Sequence, residues 1–141
     1  MTSPIDATLD ALAEEFDFLG DWEERYRYVI ELGRELAPIT DAERNDGNKV
    51  RGCASQVWLV TEPQADGGIV FRGDSDAHIV SGLIAILMRL YSGRQAADIA
   101  AFDAKAAMAR LGLADALSSQ RSNGLKAMVA RIQQDARMML G

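Results

Sequence analysis

Two β-rich segments joined by a short connection constrain the fold of this chain more than any other sequence feature. Residues 56–62 are rich in β-branched and aromatic side chains, and residues 69–72 repeat that character after Pro63 and the pair Gly67-Gly68. So short a connection favours an antiparallel hairpin. Helical periodicity precedes and follows the pair, and strands grouped between helices predict an α+β fold, with helices packed against a small antiparallel sheet.

The flanking segments carry apolar residues at helical spacing. We predict a helix ended by Gly20, a second that Asp21 caps and Pro38 ends, a third opened by residues 73–76, short helices in 95–117 and a last helix over 119–140. Asp74 or Ser75 is expected to cap the third helix, and Gly82 within it to allow close packing. In the last helix we expect a buried stripe of Leu125, Met128, Val129, Ile132, Ala136 and Met139, with Lys126, Arg131 and Arg137 facing water.

The length and net charge of the chain limit the classes of protein to which it can belong. The 141 residues fit one domain, which we take to span 1–141, and they suffice to bury a core. The net charge of −6 argues against nucleic-acid binding, which needs a basic surface. No basic cluster, long apolar run or secretory pattern points to a membrane or to export, so we expect a cytoplasmic protein.

The chain has a single cysteine, Cys53, in a long polar connection at residues 40–56. One cysteine forms no internal disulfide and supplies no Cys-rich zinc or iron–sulfur site. A thiol acts as a nucleophile in its thiolate form, and Lys49 or Arg51 nearby is expected to favour that form. Gly52 permits a positive φ or a close backbone approach. The alternative is that Cys53 is a small buried hydrophobe.

Four blocks of sequence, in this order, strongly resemble the SufE family. They cover nearly the whole chain, and together they are far more specific than any one alone. The blocks are residues 22–33, containing WEERY and IELG; residues 48–60, NKVRGCASQVWLV; residues 73–84, GDSDAHIVSGLI; and residues 119–125, SQRSNGL.

The resemblance implies an α+β fold shared with IscU-type iron–sulfur scaffolds, and a function as a sulfur carrier. A SufS-like cysteine desulfurase would form a persulfide on its own cysteine, and Cys53 would accept that sulfur, stimulate the desulfurase and deliver sulfur to a downstream Fe–S assembly scaffold. The chain itself would hold no cofactor, because pyridoxal phosphate belongs to the desulfurase. The resemblance also suggests a thiol shielded in the free protein and exposed on docking. The oligomeric state, a homodimer included, stays open.

Five further residues fall in the matching blocks. The resemblance places Arg121 near the cysteine, where it would steady a thiolate or persulfide; the alternative is an ordinary solvated arginine. It places Asp76 beneath the cysteine loop, with a role in loop mobility; the alternative is stabilisation of a helix N-terminus. Arg51 and Gly52 complete the supporting set. His78 is expected to be a partly exposed residue at a helix start rather than a base.

Other functions remain open on the residues alone. A cluster scaffold of the related fold needs several cysteines in one chain, which this chain lacks. A single-cysteine redox protein would consume peroxide and form a stable sulfenate on Cys53. An interaction module with a structural thiol would act equally well with serine at that position.

Overall fold

The computed structural model describes residues 4–53 and 55–140, with the backbone alone at residues 114 and 115. The elements run in the order α1 (Pro4–Leu19), α2 (Trp22–Arg34), β1 (Val57–Pro63), β2 (Gly68–Ser75), α3 (His78–Tyr91), β3 (Arg94–Gln95), α4 (Ala96–Ala101), α5 (Ala104–Arg110), α6 (Leu113–Ala116) and α7 (Ser119–Leu140). Helices pack against a small antiparallel sheet, so the predicted α+β class is confirmed.

The sheet is built on the predicted hairpin. β1 and β2 pair antiparallel from Val57 opposite Ser75 to Pro63 opposite Ile69. A third strand, β3, pairs with the start of β2, where Arg94 lies opposite Ile69. Nothing in the sequence indicated β3, because two residues are too short for a period-two pattern and their pairing depends on a tertiary contact.

The helix α3 forms the centre of the core and packs closely against α2. It is buried on most of its faces, and Leu83, Ile84 and Leu87 are at most 1% exposed. A side chain at Gly82 would overlap the carbonyl oxygen of Val29 in α2. The two helices therefore meet backbone to backbone, which confirms the expectation of close packing at Gly82.

The start of α3 differs from the prediction. Asp74 and Ser75 belong to β2, since the ladder with β1 continues as far as Val57 opposite Ser75. Asp74 forms an ion pair with Arg44 at 2.9 Å instead of capping a helix. The N-cap is Ala77, whose amide donates to the Ser75 hydroxyl oxygen at 3.2 Å. Pairing with β1 thus places in a strand two residues whose types are typical of helix N-caps.

The helices α1, α2 and α7 follow the periodic patterns, with three corrections in α7. The amide of Glu24 donates to the Asp21 carboxylate at 2.9 Å, which confirms that cap. In α7, however, Val129 is only partly buried, Met139 is 40% exposed, and the side chain of Arg131, expected to face water, is only 28% exposed. At 22 residues α7 is the longest helix, and no helix of residues 4–53 and 55–140 is long and apolar enough to cross a membrane.

The contact at Gly82 predicts a specific sensitivity to one methyl group. Gly82→Ala is expected to lower the free energy of unfolding by about 1–3 kcal/mol, because the new carbon must push α2 away. Gly124→Ala is the matched control: it is also a buried helical glycine, but the added carbon would lie an ordinary 3.5 Å from the nearest atom. Urea denaturation of both variants checks this, and an equal loss in both would contradict it.

Candidate functional site

The cysteine lies in a short loop, described at residues 51–53 and 55–56, which we call the cysteine loop. Its two arms pair with each other just outside it. The Val50 amide donates to the Val57 carbonyl at 2.9 Å, and the Leu59 amide donates to the Asn48 carbonyl at 2.8 Å. Between these two hydrogen bonds, Lys49 forms an isolated antiparallel β-bridge with Trp58. Residues 48–50 of the long polar connection therefore run beside β1 as an additional arm. The cysteine loop joins this arm to β1 at one end of the sheet.

The thiol of Cys53 rests against one face of α7. It is half-buried, and its Sγ donates to the carbonyl oxygen of Gly124 at 3.5 Å. Gly124 has no side chain, and a carbon added there would lie 3.5 Å from the sulfur, an ordinary van der Waals contact. Gly52 has a positive φ of 92°, and a side chain there would approach the Ala127 Cβ to 3.3 Å. Gly52 thus serves the close approach of the loop to the helix.

The resting environment favours the protonated thiol. Burial raises the pKa of Cys53 above its ordinary value, because water that would solvate the thiolate is partly excluded. The Gly124 carbonyl accepts from the thiol, and this bond also favours the protonated form. That Lys49 or Arg51 favours the thiolate stays a prediction. Arg51 is exposed, and among the described residues no hydrogen bond or ion pair engages its side chain.

A cleft of about 250 Å³ opens beside the thiol, between the cysteine loop, α3 and the start of α7. Its lining residues are Cys53, Ser55, Val80, Leu83, Ser118, Gln120, Arg121, Gly124 and Met128. Ser118 stabilises the start of α7, where its hydroxyl oxygen accepts from the Arg121 amide at 3.3 Å. The structure therefore brings Arg121 and the thiol to one cleft, with an apolar floor and a polar rim.

Asp76 anchors the C-terminal arm of the cysteine loop. Its carboxylate accepts from the Gln56 amide at 3.0 Å, and its own amide donates to the Gln56 carbonyl at 3.3 Å. The carboxylate thus engages the loop, while Ala77 forms the N-cap of α3. Of the predicted supporting residues, Gly52, Asp76 and Arg121 lie against the loop or its cleft, and Arg51 makes none of these contacts.

Arg131 engages the other arm, a contact that the sequence analysis missed. Its guanidinium donates to the Gly47 carbonyl at 2.7 Å and to the Lys49 carbonyl at 3.5 Å. Asp135 pairs with the same guanidinium at 3.4 Å and accepts from the Thr61 hydroxyl at 2.8 Å. The one available signal was spacing, because positions 124, 127 and 131 share a helix face.

Comparisons with known proteins agree with this architecture. A family model described as "SufE: Fe-S metabolism associated domain" matches residues 10–136. A SufE-like protein of Rhizobium etli is 53% identical over 135 residues, which cover 94% of this chain and 91% of that protein. A SufE-like protein of Rhizobium meliloti is 48% identical over 132 residues, covering 92% and 94%.

A solved structure shows the same fold at greater evolutionary distance. The solution structure of a hypothetical protein from Thermus thermophilus superposes with a TM-score of 0.78 at 19% identity, and the match covers 99% of this chain and 98% of that one. At this identity the likeness concerns the fold alone. The family model and the two rhizobial relatives carry the assignment: the chain belongs to the SufE family of Fe–S metabolism associated domains.

Proposed function

We propose that this protein accepts sulfur as a persulfide on Cys53 from a cysteine desulfurase, stimulates that enzyme, and passes the sulfur on toward Fe–S cluster assembly. One observation carries the proposal. The single cysteine of the chain lies in a loop anchored on both sides, and its thiol borders an open cleft that Arg121 also lines. A purely structural thiol would need neither the cleft nor the arginine.

The transfer step is an exchange between sulfur atoms. The Cys53 thiolate attacks the outer sulfur of a persulfide on the desulfurase, so that a new S–S bond forms at Cys53 while the S–S bond of the donor breaks. The donor cysteine leaves as a thiolate and takes up the proton that the Cys53 thiol released. No external oxidant or reductant is needed. Pyridoxal phosphate acts earlier, on the desulfurase.

The resting state of the thiol fits a carrier that reacts only when docked. A protonated, half-buried thiol is a poor nucleophile toward stray electrophiles. Movement of the cysteine loop away from Gly124 would remove both the burial and the carbonyl contact that favour the protonated form. Arg121, at the rim of the cleft, would then lie near a thiolate or persulfide and stabilise its negative charge.

Mass spectrometry of the intact protein tests the carrier function directly. After incubation with a cysteine desulfurase and free cysteine, we expect the mass to rise by one sulfur atom, which reductant removes and which peptide mapping locates at Cys53. Cys53→Ser is expected to fold normally and to gain no sulfur. It should also lose the stimulation of the desulfurase. Sulfur acceptance by the serine variant, or none by the natural chain with several desulfurases, would refute the proposal.

The raised pKa predicts how the thiol reacts with pH. Each unit by which the pKa is raised lowers the thiolate fraction at neutral pH about tenfold. Alkylation of Cys53 by iodoacetamide in the folded protein should therefore be slow at neutral pH and should still increase above about pH 8.5, where a free cysteine is half ionised. The same protein unfolded in urea is the control. Identical pH profiles in the two states would contradict the shielded thiol.

Arg121 provides a further test of the cleft. Arg121→Met keeps the apolar stem and removes the charge, and it is expected to slow both sulfur acceptance and the alkylation of Cys53, because both reactions proceed through the thiolate. Arg137→Met is the matched control, because Arg137 is an exposed arginine in the last turn of the same helix. Rates of sulfur transfer measured by quenched-time mass spectrometry check this. Equal rates in both variants would mean that Arg121 has no role in sulfur transfer and is an ordinary solvated arginine.

A further inference from the structure

We propose that Arg131 is a positioning residue that holds the N-terminal arm of the cysteine loop against α7, and thereby sets how often Cys53 leaves its cleft. The contact of its guanidinium with the carbonyls of Gly47 and Lys49 carries this inference. The consequence for sulfur transfer rests on the function proposed above. The effect on the accessibility of the thiol does not depend on that function.

The geometry of Arg131 suits a fixed clamp. One guanidinium group uses three directions: Nη2 faces the Gly47 carbonyl, Nη1 faces the Lys49 carbonyl and Nε faces Asp135. Hydrogen bonds from an ionised donor are stronger than neutral ones, and a planar fork makes several without reorientation. Asp135 is itself held by the Thr61 hydroxyl of β1, so the orientation of the fork is fixed from the sheet.

The clamp lies where it can control the thiol. Residues 47 and 49 begin the arm whose next residue, Val50, pairs with β1 immediately before the cysteine loop. The contacts of α7 with this segment descend one helix face: Gly124 meets Cys53, Ala127 meets Gly52, and Arg131 meets the arm. Because the same helix carries both the clamp and the cleft, a loop held at Arg131 is also held closed over Gly124.

The two arms are held differently, which separates the role of Arg131 from that of Asp76. Asp76 ties Gln56 to the segment that leads into α3. Release at Asp76 would free the C-terminal arm but leave the other arm fixed to α7. Loss of the Arg131 contacts would free the N-terminal arm, which leads through Gly52 to Cys53. The positive φ of Gly52 makes this residue a natural hinge.

The decisive experiment measures thiol accessibility and local opening together. In Arg131→Met we expect alkylation of Cys53 at neutral pH to accelerate on the order of tenfold, the effect of one charge-assisted hydrogen bond on a local opening equilibrium. Hydrogen exchange should accelerate at the amides of Val50 and Leu59 and stay unchanged at Leu87 in α3. Arg137→Met, again the matched control, should change neither measurement.

Two milder variants keep the test informative if Arg131→Met folds poorly. Arg131→Lys retains the charge but reaches fewer acceptors. Asp135→Asn leaves the guanidinium of Arg131 less firmly oriented. Each variant should therefore accelerate alkylation by an intermediate amount. Combined with Arg131→Met, Asp135→Asn should add little, because both act through one contact. Additive effects would contradict the clamp.

The outcomes separate this inference from the proposed function. Unchanged alkylation in all the Arg131 and Asp135 variants overturns the clamp, as does faster exchange throughout α3, which would mean a general loss of stability. If alkylation accelerates as expected while neither the natural chain nor the variant accepts sulfur from a desulfurase, the clamp stands and the carrier function fails. If both hold, the variants should also accept sulfur at an altered rate.

Discussion

The architecture depends on one helix that must be covered on nearly every side. α3 carries apolar residues around most of its circumference, and exposing them to water would cost a large amount of free energy. α2 covers one side at backbone contact through Gly82, and the sheet covers another. α7 closes the remainder together with α1. The cysteine loop is thereby placed at the seam between the sheet and α7.

That seam explains why a polar loop can hold a thiol that is partly hidden. The loop does not shield Cys53 by itself, since its other described residues are largely exposed. Shielding comes from α7, where the sulfur of Cys53 lies 3.5 Å from the carbonyl oxygen of Gly124. The reactivity of the thiol is therefore a property of a tertiary contact between segments 71 residues apart. A change in that contact changes the chemistry without altering any residue near Cys53 in sequence.

The sequence was informative where local patterns decide the structure, as at the cap Asp21 and the turn between the β-rich segments. It failed where tertiary contacts overrule local preference, since Asp74 has the residue type of a helix cap yet extends a strand. In the site, the lone Cys53 in a polar block is a distinctive pattern, but its raised pKa depends on a helix far along the chain. Arg131 was predicted to face solvent because no periodic pattern reports an acceptor carbonyl in another segment.

Under the proposed carrier function, the single cysteine would also determine what happens to a bound sulfur atom. A persulfide next to a second thiol in the same chain would collapse to a disulfide and release its cargo as sulfide. Residues 1–141 contain no such second thiol, so a sulfur carried as proposed would depart only to another molecule. The orientation of Cys53 toward Gly124 extends the same protection to encounters between copies, because a sulfur that faces its own helix is poorly placed to crosslink with its counterpart in a neighbouring chain.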